Sequence, residues 1–427
     1  MATMVAQRLA VRMIGQASKR GLLPRLPTPD RLLGDAEAWV RTEYADQLRS
    51  ARRVTGATGT ARLALELYPA APPVWLTALE HGRFEVDAET VAFGPGYHRF
   101  VARLLERLGA ELDIDWSEAV STDPDVAVTL ADRATTERGY LAWLGPALAD
   151  VRAARRIGAG ARHLGTPADV AYTVEGALAT VLGPRDDAWL EAAIADPRVA
   201  IEITPWWSDA TDGRYLLDRA LALLWTEVRW RRPAVDGEAE TLDEVHRLLS
   251  RAYPIEPDLP YPWHAWAELI AYRGIDDAMA RQALARATGS PRPASPIGYR
   301  RDEVTISHEG WALRVPGEFA ERRTADEWWG GGAGRAVTLA ATETGSMTAA
   351  GFLDQVAGDL GAESLSHRNG AIVGRGRIAT DESSGLSVGV LDGYSAVRGS
   401  GAAIRIVFDD PADWQWALDL WRSLAPI

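Results

Sequence analysis

The spacing of apolar residues along the chain predicts both helices and strands from the first residues onward. Val5, Leu9 and Met13 stand four positions apart, which favours a basic amphipathic helix over residues 3–17. A second helix is predicted from Asp35 to Arg53. The alternating or strongly apolar stretches that follow are typical of strands: Arg62–Leu67, Val74–Thr77 and Phe84–Phe93.

Helical periodicity dominates the middle of the chain. The widest apolar stripe lies in Tyr215–Trp230, where apolar residues recur every three or four positions. Further helices are predicted at Tyr97–Leu108, Asp186–Ala195, Leu242–Tyr253, Trp263–Arg273 and Asp276–Ala287, with residues 123–157 mostly helical. Between them, Asp113, Asp115 and Glu118 indicate a solvated acidic loop, and Val199–Thr204 indicates a short strand.

The pattern changes at Gly289–Gly298, which contains three prolines and two glycines in ten residues. Proline restricts backbone rotation, so we expect a semi-rigid linker that holds the flanking units in a preferred orientation. The chain is thereby divided into a basic helical arm at 1–60, a helix-rich α+β domain at 61–288, the linker at 289–298 and a last unit at 299–427. If the units share a function, we expect its groove beside this linker.

The last unit shows short alternating stretches that predict an antiparallel sheet covered by helices. Its predicted strands are Glu303–Ser307, Trp311–Val315, Ala336–Thr342, Ala371–Ala379, Leu386–Val397 and Ala402–Phe408. Its predicted helices are Thr348–Leu360 and Pro411–Leu424. The order β-β-β-α-β-β-β-α, together with the mainly helical α+β unit before it, places the chain in the α+β class.

Two short motifs of the last unit carry a family resemblance. Gly310–Phe319 is a predicted strand that runs into a Val-Pro-x-x-Phe turn, and the closing helix ends in Trp421-Arg422-Ser423-Leu424. On these residues, the segment 299–427 resembles the PsbP-like fold. That group includes actinobacterial lipoproteins of the LpqN kind and effector-associated chaperones of bacterial secretion systems. The resemblance implies a protein that binds other proteins or assists assembly, with no shared catalytic residues to carry over.

Composition excludes several kinds of chemistry. The 427 residues contain no cysteine, which removes disulfides, thiolate nucleophiles and cysteine metal sites. Lys19 is the only lysine, so no glycine-rich stretch can form a Walker-type phosphate loop, and Schiff-base chemistry would have to use this one residue. No apolar run reaches membrane-spanning length and no secretory signal is evident, which favours a cytoplasmic protein.

The charge distribution argues against nucleic-acid binding. The formal net charge is −13, whereas nucleic-acid-binding domains are typically basic. Residues 1–60 carry ten Lys or Arg and five Asp or Glu, so a basic arm precedes an acidic remainder. The predicted basic helix at residues 3–17 docks on the protein's own acidic domain, forms a partner-binding or disordered arm, or binds a membrane surface, and the sequence leaves these alternatives open.

The segment Gly94–Arg99 joins a predicted strand to a predicted helix. A glycine turn before a helix start can hold an anion on free backbone amides, and His98 and Arg99 would add positive charge beside Tyr97. The dinucleotide fingerprint is missing, because no third glycine follows at the required spacing and Pro95 removes one amide donor. A tight structural turn and a ligand site both remain open.

Tryptophan is unusually frequent, with 17 residues against 6 phenylalanines, and it is enriched at binding surfaces. Trp206 and Trp207 adjoin Asp209 and Asp212 after the predicted strand Val199–Thr204. Neighbouring side chains of an extended segment point in opposite directions, so one ring can be exposed. Sugar stacking beside a carboxylate, packing between elements and a protein interface are the three interpretations.

The second tryptophan cluster is Trp263, His264 and Glu268, at the start of a predicted helix that follows a proline-rich stretch. His264 and Glu268 are four apart and share a helix face, so they can form an acid–base or metal-ligating pair or an ordinary hydrogen-bonded pair. The sequence lacks the two-histidine zinc pattern. A third cluster, Trp328 and Trp329 before three glycines, predicts an exposed loop with an aromatic tip that contacts a partner or packs on the sheet.

These observations favour a non-enzymatic bacterial protein that binds other proteins of a multicomponent system, of the secretion, toxin–immunity or defence type. The sequence contains no nucleophile elbow, and it assigns no catalytic residue, cofactor or metal ligand. The alternative is a hydrolase that acts on a sugar or phosphorylated ligand held by residues 61–288. That alternative requires Tyr97–Arg99 and Trp206–Asp212 to line one pocket.

Overall fold

The computed structural model describes residues 8–18, 26–55, 60–118, 126–128, 133–156, 163–167, 169–324, 326–358, 364–381 and 387–427. Within these residues the chain opens with a sheet and two helices that pack on it. Their bounds are β1 (Arg8–Ala17), α1 (Pro29–Glu43), β2 (Ser50–Thr55), β3 (Ala61–Glu66), β4 (Val74–Ala78), β5 (Arg83–Glu89), α2 (Pro95–Leu112), β6 (Ile114–Glu118) and β7 (Val126–Val128). The antiparallel strand order is β2-β3-β4-β5-β1-β6, and β7 runs parallel to β1.

The strand β1 corrects the helix predicted over residues 3–17. Arg8–Ala17 pair with β5 on one side and with β6 on the other, and residues 3–7 lie outside the described residues. The prediction fails because positions four apart share a face in a strand as well as in a helix. Every second residue from Val11 to Ala17 is buried, which is the period of a strand. The described part of the basic arm therefore supplies strands of the first sheet and the helix α1, which packs on that sheet.

Two neighbouring predictions are also corrected. The helix predicted from Asp35 to Arg53 is wrong in its second half, because α1 ends at Glu43 and Ser50–Thr55 form β2, paired with β3. The acidic loop predicted around Asp115 is the strand β6, whose backbone pairs with β1. In both places pairing with a distant strand decides the structure, and local composition does not reveal that pairing.

The middle of the chain is mainly helical. Its elements are α3 (Arg133–Arg156), β8 (His163–Leu164), β9 (Val170–Tyr172), β10 (Ala177–Thr180), β11 (Arg185–Asp186), α4 (Asp187–Ala195), α5 (Gly213–Thr226), α6 (Glu238–Ile255), α7 (Trp263–Arg273) and α8 (Ala278–Gly289). Helices α5 to α8 share one apolar core with the first sheet, α1 and α2. None of the described helices combines the length and the apolar character that crossing a membrane requires.

A smaller core is formed by α3, α4 and a 3-10 helix at Pro197–Ile203. This 3-10 helix corrects the strand predicted at Val199–Thr204. Ala200 and Ile203 are buried, whereas Val199 is 38% exposed. Buried positions three apart match the period of a 3-10 helix, whose side chains at i and i+3 line up.

Where the structure describes it, the last unit contains strands of two sheets and two α-helices. Its elements are β12 (Glu303–His308), β13 (Trp311–Pro316), β14 (Ala320–Arg323), β15 (Trp328–Gly332), β16 (Arg335–Glu343), α9 (Ala349–Val356), β17 (Leu365–Asn369), β18 (Ile372–Asp381), β19 (Val388–Val397), β20 (Ser400–Phe408), α10 (Trp414–Arg422) and β21 (Ala425–Pro426). The larger sheet is antiparallel, in the order β14-β15-β16-β20-β19-β18-β17. Helices together with antiparallel sheets confirm the mixed α+β class.

The smaller sheet joins the two parts of the chain across the linker. Its order is β21-β13-β12-β9, and β9 comes from the part before the linker. Val170–Tyr172 pair with Val304–Ile306, and the ring of Tyr172 stacks on that of Tyr299 with centroids 4.9 Å apart. Both rings belong to the core of the last unit. The linker therefore connects two segments that also share a sheet.

Candidate functional site

The N-terminus of α2, predicted as a tight turn or an anion site, packs against residues 204–208. The amide of Gly96 donates to the carbonyl of Trp206 over 2.9 Å, and the amide of Trp206 donates to Phe93 over 3.2 Å. A β-carbon at Gly96 would lie 2.0 Å from the carbonyl oxygen of Ser208, so glycine is needed at this crossing. The Gly96 amide is thus engaged within the protein.

The three side chains predicted beside this turn are buried. Tyr97 lies in the aromatic part of the core, and Nδ1 of His98 lies 2.7 Å from Oγ1 of Thr90. The Arg99 guanidinium lies 3.7 Å from the Asp209 carboxylate, and its nitrogens have no hydrogen-bond acceptor among the described residues. Burial lowers the pKa of Arg99. Tyr97 and His98 therefore belong to the interior, and Arg99 forms an ion pair with Asp209.

The segment Trp206–Asp212 lies against the start of α2, so two of the predicted clusters meet in space. Trp206 is 2% exposed, and its ring centroid lies 4.3 Å from that of Tyr215. Trp207 is half-buried, with its ring centroid 5.8 Å from that of Tyr140. The structure therefore places both rings against other elements, which is the packing interpretation of this cluster.

Both aspartates of this segment have partners. Asp209 lies 2.7 Å from Arg103 and 3.7 Å from Arg99. Although burial opposes the effect, these two arginines hold the pKa of Asp209 below its ordinary value. Asp212 caps α5, since its carboxylate accepts a 2.9 Å hydrogen bond from the amide of Tyr215. The hydrolase alternative needs a free acid–base group here, and both carboxylates are engaged.

A groove of about 900 Å³ lies between α7 and the linker, and it contains the second predicted cluster. We call this cavity the linker groove. Its apolar walls include Tyr261, Trp263 and Ile297, with prolines on both sides: Pro260, Pro262, Pro291, Pro293 and Pro296. The sequence predicts a shared groove beside the linker, and the structure contains a cavity at that position.

His264 attaches the linker to α7. Its Nε2 lies 3.1 Å from the carbonyl oxygens of Ser290 and Pro291, so this nitrogen is placed to donate to the linker backbone. His264 and Glu268 both line the linker groove, but their hydrogen bonds join them to different partners. Within the described ranges, no group of three His, Cys, Asp or Glu side chains lies close enough to hold a metal ion.

Glu268 and two arginines set the charge of the linker groove. Glu268 accepts hydrogen bonds from the Tyr272 hydroxyl over 2.7 Å and from Nη1 of Arg301 over 3.0 Å. Although burial opposes the effect, these two partners hold the pKa of Glu268 below its ordinary value. The Arg301 guanidinium also lies 3.7 Å from the ring centroid of Trp230. Arg292 lines the same groove, is exposed and forms no ion pair with the described residues.

Trp328 and Trp329 lie on β15, which corrects the exposed loop predicted from the glycine run. Trp328 is fully buried, and its Nε1 donates to Oε2 of Glu321 over 3.1 Å. Trp329 is half-buried, with the Arg322 guanidinium 5.8 Å from its ring centroid. A β-carbon at Gly330 would lie 2.3 Å from the Trp328 ring. The glycine run therefore makes room for a buried ring within a strand.

A second cavity, of about 640 Å³, has no counterpart among the predicted sites. We call it the arginine cleft, because five arginines line it: Arg49, Arg229, Arg231, Arg300 and Arg323. They come from segments before and after the linker, and none of them belongs to a local motif. A buried arginine near a strand or helix end is the only local signal, and it does not show which segments meet.

Asp218, on α5, is a buried carboxylate with an incomplete set of partners. It is 4% exposed, and its Oδ2 accepts a 2.9 Å hydrogen bond from Nε of Arg214. Its Oδ1 has no hydrogen-bond partner in the part of the chain that the structure describes. Burial raises the pKa of Asp218 from 3.8 to about 7, and Arg214 only partly offsets that effect.

We expect Asp218→Asn to stabilise the protein at pH 8 by about 1–3 kcal/mol and to have little effect near pH 4. Between these values the folded protein keeps a proton that the unfolded chain has released, so wild-type stability falls as the pH rises. Asparagine cannot ionise, and its oxygen can still accept from Arg214. Urea unfolding at both pH values measures the difference. A gain of equal size at both would contradict the prediction, and the exposed Asp354→Asn is the control.

Comparison with known proteins gives no family for this chain. No protein-family model matches it, and no curated protein matches it. A 1.50 Å crystal structure from Bacteroides thetaiotaomicron VPI-5482 matches with 6% sequence identity and a TM-score of 0.25. The match covers 28% of this chain and 45% of that chain. A likeness at this TM-score assigns neither a fold family nor a function.

Proposed function

We propose that this protein binds other proteins and serves as a non-enzymatic accessory component of a bacterial multiprotein system. Its contact site is the linker groove, and the occupant is an extended, proline-containing segment of a partner protein that carries an acidic residue. The observation that carries the proposal is the aromatic and proline-lined wall of this groove. The PsbP-like resemblance of the last unit supports it, because members of that group mostly bind proteins or assist assembly.

The aromatic wall of the linker groove is suited to an extended segment. The Trp263 ring stacks on that of Trp266 with an interplanar angle of 15° and a centroid distance of 5.6 Å, and its centroid lies 5.3 Å from that of Tyr261. Trp263 is therefore held in place while it stays only half-buried. Aromatic grooves recognise proline-rich segments, which are already extended before they bind and so lose little conformational entropy.

The charges of the linker groove select an acidic residue in the occupant. Glu268 and Arg301 neutralise each other at one part of the wall. Arg292 carries a positive charge on the exposed linker, with no carboxylate partner among the described residues. An acidic residue of the bound segment can pair with Arg292, whereas a basic residue would be repelled.

Selection from a displayed library of random peptides tests this proposal. We expect the wild-type protein to enrich extended sequences with proline and at least one acidic residue. For a selected peptide, fluorescence anisotropy should show binding that is about tenfold or more weaker with Trp263→Ala, because a central aromatic contact is lost. Arg292→Glu should shift the enriched sequences from acidic to basic.

The matched control is Trp414→Ala, which removes a tryptophan that is 45% exposed and lies on α10, outside the linker groove. Its peptide affinity should equal that of the wild type. If the library yields no enriched sequence, or if Trp263→Ala and Trp414→Ala bind a selected peptide equally well, the proposal is wrong.

A further inference from the structure

The arginine cleft lies where segments before and after the linker meet. Its walls come from the connection between β3 and β4, the loop after α5, and the strands β9 and β14. Its volume of about 640 Å³ is that of a small-molecule site, and such sites often lie where two units of a protein meet. The charges on its walls therefore decide what it can hold.

Most of these charges are neutralised in pairs. Arg231 forms two hydrogen bonds of 2.8 Å with the carboxylate of Glu238. Arg323 lies 2.7 Å from Asp169. A further neutral group contains two arginines and two glutamates: Arg49, Arg219, Glu227 and Glu244.

Two more carboxylates line the cleft without reaching its buried arginines. Glu66 lies 2.7 Å from Arg52, so its charge is neutralised outside the cleft. Asp236 is exposed at the surface, where water screens its charge. Neither forms an ion pair with Arg229 or Arg300.

The remaining group has one positive charge in excess. Among the described residues, Glu321 is the one carboxylate that pairs with both guanidinium groups, with Arg300 at 2.7 Å and Arg229 at 3.2 Å. Its other oxygen accepts from Nε1 of Trp328 over 3.1 Å. Arg300 is further fixed by its Nε, which donates to the carbonyl of Thr226 over 2.8 Å. Both oxygens of Glu321 therefore already accept a hydrogen bond from another residue, Oε1 from Arg300 and Oε2 from Trp328.

Arg229 is the less satisfied member of this group. Its side chain is 16% exposed, and its Nη1 has no hydrogen-bond partner in the described residues. Burial, and next the charge of Arg300, lower the pKa of Arg229 to about 10, so the guanidinium is still charged at neutral pH. Two guanidinium groups with one carboxylate leave a positive charge uncompensated, and an anion in the cleft that contacts the exposed part of Arg229 would supply the missing counter-charge.

We propose that the arginine cleft binds the phosphate or carboxylate group of a small molecule and that Arg229 contacts this oxyanion. The site is separate from the linker groove, so it goes beyond the proposed protein-binding function. A planar guanidinium matches the two oxygens of either group. The volume of the cleft leaves room for an organic part beside the anion.

Isothermal titration of the full chain with inorganic pyrophosphate and, separately, with citrate tests the proposal. We expect at least one of them to bind the wild type, and Arg229→Met to weaken that binding by about tenfold or more. Arg229→Lys keeps the positive charge but lacks the planar guanidinium that can contact two oxygens, so its loss of affinity should be intermediate. Binding of pyrophosphate alone assigns a phosphate group, and binding of citrate alone assigns a carboxylate.

The control variant is Arg314→Met, whose arginine is 65% exposed on β13 and pairs with Glu303 away from the cleft. It should bind as the wild type does. Arg229→Met should fold, because Glu321 keeps Arg300 as its partner, and its melting temperature without added anion should not fall. Binding of neither probe to the wild type, or unchanged binding by both Arg229 variants, overturns the proposal.

Discussion

Trp206→Ala is expected to lower the free energy of unfolding by about 3–5 kcal/mol, the usual loss when a buried tryptophan becomes alanine. The Trp206 ring is 2% exposed and fills the space between α2 and α5, with Tyr215 at 4.3 Å and Phe100 at 4.8 Å between ring centroids. Its Nε1 also donates to the carbonyl of Ala210 over 3.1 Å. Alanine leaves a cavity among rings that cannot move in to fill it. Urea unfolding followed by circular dichroism measures the loss.

The comparison with Trp207→Ala decides between packing and surface roles for this pair. Trp207 is half-buried and borders the smaller core of α3 and α4. Trp207→Ala should therefore lower the free energy of unfolding by clearly less than Trp206→Ala does. Equal losses for the two variants, or a loss below about 1 kcal/mol for Trp206→Ala, would contradict the core assignment.

The second large effect is expected at Glu321, which serves two buried arginines at once. We expect Glu321→Gln to lower the free energy of unfolding, measured by urea unfolding, by about 3–5 kcal/mol, because Arg229 and Arg300 would be left without a counter-charge. Although burial opposes the effect, Arg300 and Arg229 hold the pKa of Glu321 below its ordinary value of 4.5. A lowered carboxylate pKa stabilises the fold above about pH 4.5, and this contribution is lost as the pH falls through the folded pKa. The difference between wild type and variant should therefore narrow in acid.

A double variant tests whether uncompensated positive charge causes the stability loss expected for Glu321→Gln. Adding Arg229→Met to Glu321→Gln removes one of the two uncompensated charges, so part of the lost stability should return. Glu303→Gln is the control, because its ion pair with Arg314 is exposed and surface pairs contribute about 1 kcal/mol or less. If the double variant is no more stable than Glu321→Gln alone, charge repulsion is not the cause of the loss.

The elements that the sequence predicted well are those whose signals are local. The bounds of α7, Trp263–Arg273, agree with the prediction, because an apolar stripe follows a proline and ends at Gly274 in the left-handed conformation. The hairpin of β12 and β13 agrees with the strands predicted at Glu303–Ser307 and Trp311–Val315, and Glu309 and Gly310 in its turn both have positive φ. Neither element needs information from elsewhere in the chain.

The errors arise where distant segments decide the structure. β1 and β6 become strands by pairing with each other, and β15 becomes a strand between β14 and β16. The candidate sites follow the same rule. A groove beside the linker was predictable because α7 and the linker are close in sequence. The arginine cleft was not, since Arg229 and Glu321 belong to segments that only the fold brings together.

The shared sheet also orders events during synthesis of the chain. Residues 170–172 leave the ribosome before Val304–Ile306. Until the later residues are synthesised, β9 has no strand to pair with and the Tyr172 ring cannot stack on Tyr299. The part of the chain before the linker therefore has an unpaired strand, β9, until the hairpin of β12 and β13 emerges from the ribosome. A nascent chain that pauses at the linker exposes an unpaired strand edge on which another nascent chain can add a strand.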